Sequence, residues 1–369
     1  MDYTISPFID IDLPPPLYVL PVVTLTLINV VVLMLDYVLY SSQKHFFPFI
    51  SPTLLRLIMC SFHMLLPMFV ISDHPPSNGL FTVAPWLLAV YSATFPMTDT
   101  TKFMDWFNAL LNTAYEPRLT LEQKNQSITD IRYAGLAKAL LGVFKFVFLF
   151  VIVNRLLPPV ARNTIEFPWF SLKSISFILL FGTKHYCLLG ILDIAFGVMQ
   201  IVLGKHTIES MHEPFFSTSP RDFWGRRWNL FVSHFLHSQV FSIRISTTVD
   251  KKKKGMIKKK QIWTQTKEFR GFMSFFASGV FHEMMIMSIN RKITLENFVF
   301  FLIHGLAAYL EIKFRKAYNL KQDPTGITRI LCNVCTVVFF GVTGRLFVSP
   351  YLRDSFFDFN HSSIWKNLK

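Results

Sequence analysis

The feature that most constrains this chain is a series of runs of about 20 largely apolar residues, the length a helix needs to cross a bilayer. They lie near Leu17–Leu39, Leu54–Ile71, Leu80–Met97, Leu136–Leu157, Ile175–Leu203, Phe269–Ile289, Leu295–Ile312 and Ile327–Val348. The run at 175–203 is long enough to be two short or broken helices, so eight or nine spans are expected. Composition agrees. Of the 369 residues 51% are hydrophobic, 40 are Phe, and only 16% are charged, against about 25% in an ordinary soluble domain. There is too little polar side chain to cover a soluble protein of this size, and lipid is the expected solvent.

The fold expected is therefore all-α: one polytopic membrane domain over 1–369, with N-terminal spans in 1–205, a chemistry-bearing region in 206–350, and short interfacial helices between spans. Pro14, Pro15 and Pro16 punctuate the start of the first run, which has neither a basic n-region nor a small-residue cleavage site and reads as a retained span. The longest polar stretch, 99–132, is expected to carry an amphipathic helix around Asp105–Tyr115. Two sequons, Asn125-Gln126-Ser127 and Asn360-His361-Ser362, are short enough to arise by chance.

The net charge of +14 would raise nucleic acid as a partner in a soluble protein. Here much of the excess sits in Lys251–Lys254 and Lys258–Lys260, a basic loop of the kind that marks the cytoplasmic side of a membrane protein. Each such Lys gains about 1 kcal/mol near an anionic leaflet. The partner expected is the lipid bilayer, not nucleic acid. Cys60, Cys187, Cys332 and Cys335 all fall in apolar stretches, which argues against a disulfide framework, and Cys332-x-x-Cys335 lacks the polar surroundings that zinc or redox use requires. No metal site and no resident cofactor are expected.

Two segments place polar groups where membrane helices avoid them. In Ser219-Pro220-Arg221-Asp222-Phe223-Trp224-Gly225-Arg226-Arg227-Trp228-Asn229-Leu230, Ser219 reads as a helix cap, Pro220 as the first helical residue, and Asp222 as a first-turn acid favoured by the helix dipole. Continued at 3.6 residues per turn, this helix sets Arg226, Asn229, Ser233 and His237 in one polar row. Trp224, Trp228, Phe231 and Phe235 then fill an apolar side. The alternative is an aromatic and arginine belt at the interface without a chemical role.

The second segment is Ser278-Gly279-Val280-Phe281-His282-Glu283 inside the run 269–289. Ser274, Ser278 and His282 share a face, and Gly279 admits close approach of a neighbour or ligand. A carboxylate at bilayer depth costs about 2.5–3.5 kcal/mol on insertion scales, so an adjacent His282 and Glu283 there read first as a functional site. The alternative is a polar pair that stitches helices together. Ile286 stands where a zinc protease motif would need a second His, which excludes that chemistry. His304, in the next run with Ala308 and Glu311 on its face, reads more readily as a structural hydrogen-bonder.

These residues resemble the wax synthase branch of the membrane-bound O-acyltransferases. Ser219–Leu230 followed about 50 residues later by Phe281-His282-Glu283, with Phe301-Leu302-Ile303-His304-Gly305 beyond, carries the likeness over roughly 210–350. The first 200 residues share only hydropathy with it. The resemblance implies a membrane-embedded acyltransferase that takes acyl-CoA as co-substrate and a lipophilic alcohol as acceptor, in the endoplasmic reticulum. Its catalytic pair would be His282 and Asn229, supported by Glu283, Trp228, Ser278 and His304. The Lys251–Lys260 insertion and Ser233-His234 depart from the pattern without touching a catalytic position.

The chemistry fits those residue types. Ester formation from a thioester needs a base for the hydroxyl proton, and histidine titrates near working pH, a contribution of about 10²–10⁴ in rate. An Asn amide N–H suits the thioester oxygen or its positioning. A site inside the bilayer keeps water from competing. Arg226 and Arg227, with Arg270 and the Lys run, are candidates for the CoA phosphates, with snorkelling to headgroups as the alternative. Acetyl transfer to a terpenoid or sterol hydroxyl is the nearest alternative activity. A transporter is the alternative of another class, but it would spread charge over several spans with internal symmetry, whereas the polar residues here concentrate in the C-terminal half.

Overall fold

The computed structural model describes residues 7–94, 101–116, 119–158, 160–236, 266–320 and 323–353. The expected Lys251–Lys260 loop, His237 and the sequon at 360–362 lie outside the described residues. In chain order the helices that matter here are α1 (Val22–Ser41), α2 (Pro52–Phe69), α3 (Pro75–Thr94), α4 (Phe103–Asn112) and α5 (Ile128–Phe148). They are followed by α6 (Leu172–Leu188), α7 (Gly190–Leu203), α8 (Leu230–Leu236), α9 (Lys267–Asn290), α10 (Glu296–Ala317) and α11 (Gly326–Arg353).

Seven stretches among the described residues are long and apolar enough to cross a membrane, with 128–156 and 172–203 each counted as one. The eight or nine expected spans differ from this at two places. The long run does break, at Leu189, into α6 and α7. The run expected at Leu80–Met97 appears as α3, a 20-residue helix with Pro85 inside it, which is not among the seven. The amphipathic helix expected near 105–115 is α4, whose buried Trp106 donates its indole N–H to Ser92 Oγ of α3 at 3.2 Å.

The distribution of polarity shows which solvent the helices face. Val23, Leu27, Val31, Leu140, Phe144, Val147 and Val202 are exposed, whereas Asp36, His63, Lys145, Asp193, Gln200, Glu283, Glu296, His304 and Arg345 are buried. Ionisable side chains turn inward and pair because lipid offers them no partner. The protein is an integral membrane protein.

The most extensive helix–helix contact among the described residues is between α5 and α7, and the sequence shows how it forms. Gly135, Lys138, Gly142 and Lys145 recur at spacings of three and four along one face of α5. Gly190, Asp193, Gly197 and Gln200 do the same on α7. A Cβ on Gly142 would stand 2.5 Å from Gly190 O, and one on Gly197 2.6 Å from Ala139 N, so the backbones meet because these positions have no side chain. The two lysines then reach across this antiparallel pair. Lys145 Nζ binds Asp193 Oδ2 at 2.5 Å, and Lys138 Nζ binds Gln200 Oε1 at 3.2 Å and Thr207 O at 2.9 Å.

The helix ends are fixed by local chemistry. Ser127 and Asp130 form a reciprocal capping box at the start of α5, and Gly204, at φ +62°, ends α7. The N-terminal segment is sewn to the later helices. β1 (Ile11–Asp12) pairs antiparallel with β4 (Lys292–Ile293), and β2 (Tyr18–Leu20) pairs parallel with β3 (Val70–Ser72). Arg291, at the end of α9, donates to Met68 O at 2.8 Å and to Pro14 O. A core of Leu149, Val153, Ile165, Ile178, Phe181, Ile286, Val348 and Leu352 joins α6, α9 and α11.

Candidate active site

The segment Ser219–Leu230 begins as its sequence dictates. Ser219 Oγ accepts Asp222 N–H at 3.1 Å and Pro220 takes the first helical position. The helix then departs from the expected course. After one α turn (Pro220–Asp222) the chain passes through a π turn, Phe223–Arg227, closed by Trp228 N–H to Phe223 O at 2.8 Å. Trp228 is extended and Asn229 sits at φ +43°. The polar row of Arg226, Asn229 and Ser233 therefore does not form, because the extra π residue and the reversal at Asn229 put these positions on separate elements. Asn is among the few residues that tolerate the left-handed region. Its Oδ1 also accepts Val232 N–H at 3.3 Å, which starts α8.

Aromatic packing explains why the chain turns there. Trp228 stacks with Phe223 at 5.0 Å and with His185 of α6 at 5.9 Å, the rings inclined by only 18° and 17°. Trp224 packs instead with Phe275, Phe300, Phe301 and Phe340. The π turn lets two tryptophans four residues apart serve two different packing sites.

Asp222, buried beneath this turn, holds both arginines. Its Oδ1 accepts Arg226 Nε at 2.8 Å and its Oδ2 accepts Arg227 Nε at 2.9 Å. Arg226 also binds Asp323 at 2.7 Å, ahead of α11. The hydrogen bond to Arg226 holds the Asp323 carboxyl below the usual carboxylate range and in turn raises the guanidinium. The two arginines expected to meet CoA phosphates thus brace the turn, with Arg226 remaining half-exposed.

His282 lies midway along α9, its ring 4.4 Å from Phe301, 5.5 Å from Phe281 and 5.6 Å from Phe347. Its Nδ1 lies 2.8 Å from Ser278 O, one turn back. A carbonyl only accepts, so Nδ1 carries the proton and Nε2 keeps its lone pair. The side chain is not fully buried. Ser278 thus contributes its carbonyl. Gly279 serves the packing of α10, since a Cβ there would meet Phe298 Cδ2 at 3.0 Å.

Glu283 makes no hydrogen bond to His282. Its Oε1 accepts the backbone N–H groups of Thr294 at 2.8 Å and Leu295 at 2.7 Å, tying α9 to the start of α10. His304 is fully buried and satisfied on both sides. Nδ1 accepts Trp224 Nε1–H at 3.0 Å, so Nε2 carries the proton and donates to Thr343 Oγ1 at 3.0 Å, whose own hydroxyl donates to Phe339 O.

The two predicted segments converge through aromatic rings. Asn229 is joined to Trp228, Trp228 stacks on His185, and His185 meets Phe347 edge-on at 5.7 Å. Phe347 then reaches His282. Asn229 and His282 do not touch each other directly. Sequence reasoning passed over His185, and also the buried chain Lys145–Asp193–Ser210, in which Ser210 Oγ donates to Asp193 Oδ1. Ser210 O in turn accepts Leu230 N–H at 2.9 Å, and Asn229 N–H points at Met211 Sδ, 3.1 Å away. The Asn229 turn therefore rests on an ion pair between α5 and α7. The signal was available: Lys145, His185 and Asp193 are ionisable residues inside apolar runs, as His282 and Glu283 are.

Comparison with known proteins converges on the same stretch. Residues 209–303 match the model of the membrane bound O-acyl transferase family. The matched segment runs from Glu209 to Ile303 and takes in the Ser210–Leu230 contact, the π turn, Asn229 and His282. The family resemblance carried by these residues is borne out. Among relatives of this chain, the Arabidopsis thaliana proteins described as probable long-chain-alcohol O-fatty-acyltransferases 7 and 6 are each 32% identical. The alignments cover 43% and 52% of this chain and 44% and 59% of theirs. The long-chain-alcohol O-fatty-acyltransferase of Simmondsia chinensis is 30% identical over 42% of this chain and 41% of its own length. The chain spans about half the length of the relatives it matches.

Proposed function

We propose that the protein is an acyl-CoA-dependent O-acyltransferase that esterifies a long-chain alcohol, with its site inside the bilayer of the endoplasmic reticulum. The observation that carries this reading is the His282 imidazole, half-buried among Phe281, Phe301 and Phe347, with Nδ1 committed to Ser278 O and Nε2 left as a base. The relatives' names supply the acyl and alcohol classes.

In this mechanism the alcohol oxygen attacks the thioester carbonyl carbon while its proton passes to His282 Nε2. The tetrahedral oxyanion collapses, the carbon–sulfur bond breaks, and the CoA thiolate leaves with the proton that His282 returns. The Ser278 carbonyl keeps the ring in one tautomer and orients it through both transfers. The Asn229 side chain already spends Oδ1 on the α8 cap, so its amide N–H groups are what it offers to the acyl oxygen or to positioning of the thioester. Phenylalanine walls favour acyl and alkyl chains over water, which suppresses hydrolysis of the thioester.

The test uses microsomes from a host that lacks its own acyltransferases, supplied with labelled palmitoyl-CoA or acetyl-CoA and a panel of fatty alcohol, diacylglycerol and sterol. Wax ester from palmitoyl-CoA and fatty alcohol is expected. Ester formed only on the sterol or the diacylglycerol, or none from any pair, contradicts the reading.

A further inference from the structure

We propose that His185 is a further catalytic residue of the acyl-transfer site, donating a hydrogen bond to the acyl oxygen as negative charge develops there. The proposal rests on the acyltransferase reading and deepens it. His185 lies on α6, one turn before the break at Leu189, in a run otherwise long and apolar enough to cross the membrane. Its ring stacks on Trp228, the residue before Asn229, and meets the edge of Phe347, whose ring also contacts His282. The two imidazoles thus flank one phenylalanine.

What sets His185 apart from His304 is what its nitrogens do. His304 has a protein partner on each nitrogen and is sealed from solvent. His185 is held by rings alone: among the described residues its side chain makes no hydrogen bond, and it is not fully buried. A polar ring in an apolar span without a partner loses free energy unless something else meets it. In the acyltransferase reading that partner is a substrate oxygen beside His282.

The roles divide by tautomer. Ser278 O fixes His282 as a base at Nε2. Among the described residues none fixes the His185 tautomer, so a neutral imidazole there can turn its one N–H toward the acyl oxygen. With the Asn229 amide this makes two donors for the oxyanion, and removal of one such donor costs about 10²–10³ in kcat. No proton leaves His185. The hydroxyl proton goes to His282 and then to the CoA thiolate.

The experiment compares wild type with His185→Phe, His185→Gln and His185→Asn in the microsomal assay, with the thermal transition of each solubilised variant measured alongside. Phenylalanine keeps the stack on Trp228 and removes the N–H, whereas each amide keeps an N–H. We expect His185→Phe to lose about 10²–10³ in kcat with little change in KM, and at least one amide variant to stay within about tenfold of wild type. Unchanged turnover in folded His185→Phe overturns the proposal while leaving the acyltransferase reading intact. If the Phe variant does not fold, the amide variants decide: turnover retained in one supports the donor role, and turnover lost in both while folded overturns it. A wild type that forms no ester from any pair removes both readings together.

Discussion

The carboxylate of Glu283 turns away from its neighbour His282 and accepts the backbone N–H of Leu295 at 2.7 Å. Thr294 N–H adds a second bond to the same oxygen. Leu295 is at φ +57°, a conformation unusual for a branched side chain, and the carboxylate holds it there. Glu283→Ala is expected to destabilise the fold by about 2–5 kcal/mol, because the buried Thr294 N–H and the half-buried Leu295 N–H both lose their acceptor. Glu283→Gln keeps an acceptor oxygen and is expected to cost clearly less. Thermal midpoints of the solubilised variants measure both. If Glu283 tuned His282 instead, Gln would abolish turnover at unchanged midpoint.

The Lys145–Asp193 pair, 2.5 Å apart and nearly inaccessible, makes a sharper prediction about energetics. Lys145→Met alone leaves a buried carboxylate with Ser210 as its remaining partner, and about 3–5 kcal/mol of stability is expected to go. Lys145→Met with Asp193→Leu removes both charges and is expected to recover most of that loss. Since Ser210 supports Leu230 next to Asn229, the double variant should fold yet turn over more slowly. A double variant no more stable than the single one would contradict the paired arrangement.

Close approach of α5 and α7 gives a third expectation. Gly142→Ala puts a methyl 2.5 Å from Gly190 O, and backbone must move to admit it. A loss of about 1–3 kcal/mol is expected, the range for overpacking. Gly182→Ala serves as the control, since a Cβ there meets nothing within 4 Å. Equal midpoints for the two variants would count against this packing.

Asn229 combines a left-handed backbone, a cap and an uncommitted amide. Asn229→Asp keeps the first two and removes the N–H groups. It is expected to match wild type in thermal midpoint while kcat falls about 10²-fold or more. Asn229→Leu, which fits neither the cap nor the φ, should lose stability as well. Full turnover by the Asp variant would reduce Asn229 to a turn residue.

The sequence carried the membrane bundle clearly, since apolar runs of spanning length follow from the solvent alone. It also carried the cap at Ser219, the helix at Phe103–Asn112 and the break in the 175–203 run. The break-up of the expected polar row through Arg226, Asn229 and Ser233 was not legible. A helical wheel assumes one period, and the π turn at Phe223–Arg227 changes it for the sake of tertiary ring packing around Trp224 and Trp228. What Glu283 binds was not legible either, because adjacency along a helix points it and His282 at different neighbours, and its partners Thr294 and Leu295 lie beyond the end of α9. Lys145, His185 and Asp193 needed only the bilayer-depth argument already applied to His282, extended to every span.

That the His282 imidazole takes the hydroxyl proton of an alcohol during acyl transfer is the step on which the proposed mechanism turns. It is tested most directly by comparing ester formation from labelled palmitoyl-CoA and a long-chain alcohol in wild type and His282→Ala, at equal levels of folded protein. Wax ester is expected from wild type, with a fall of about 10²–10⁴ in the variant. Ester formation that survives His282→Ala at the wild-type rate would contradict it.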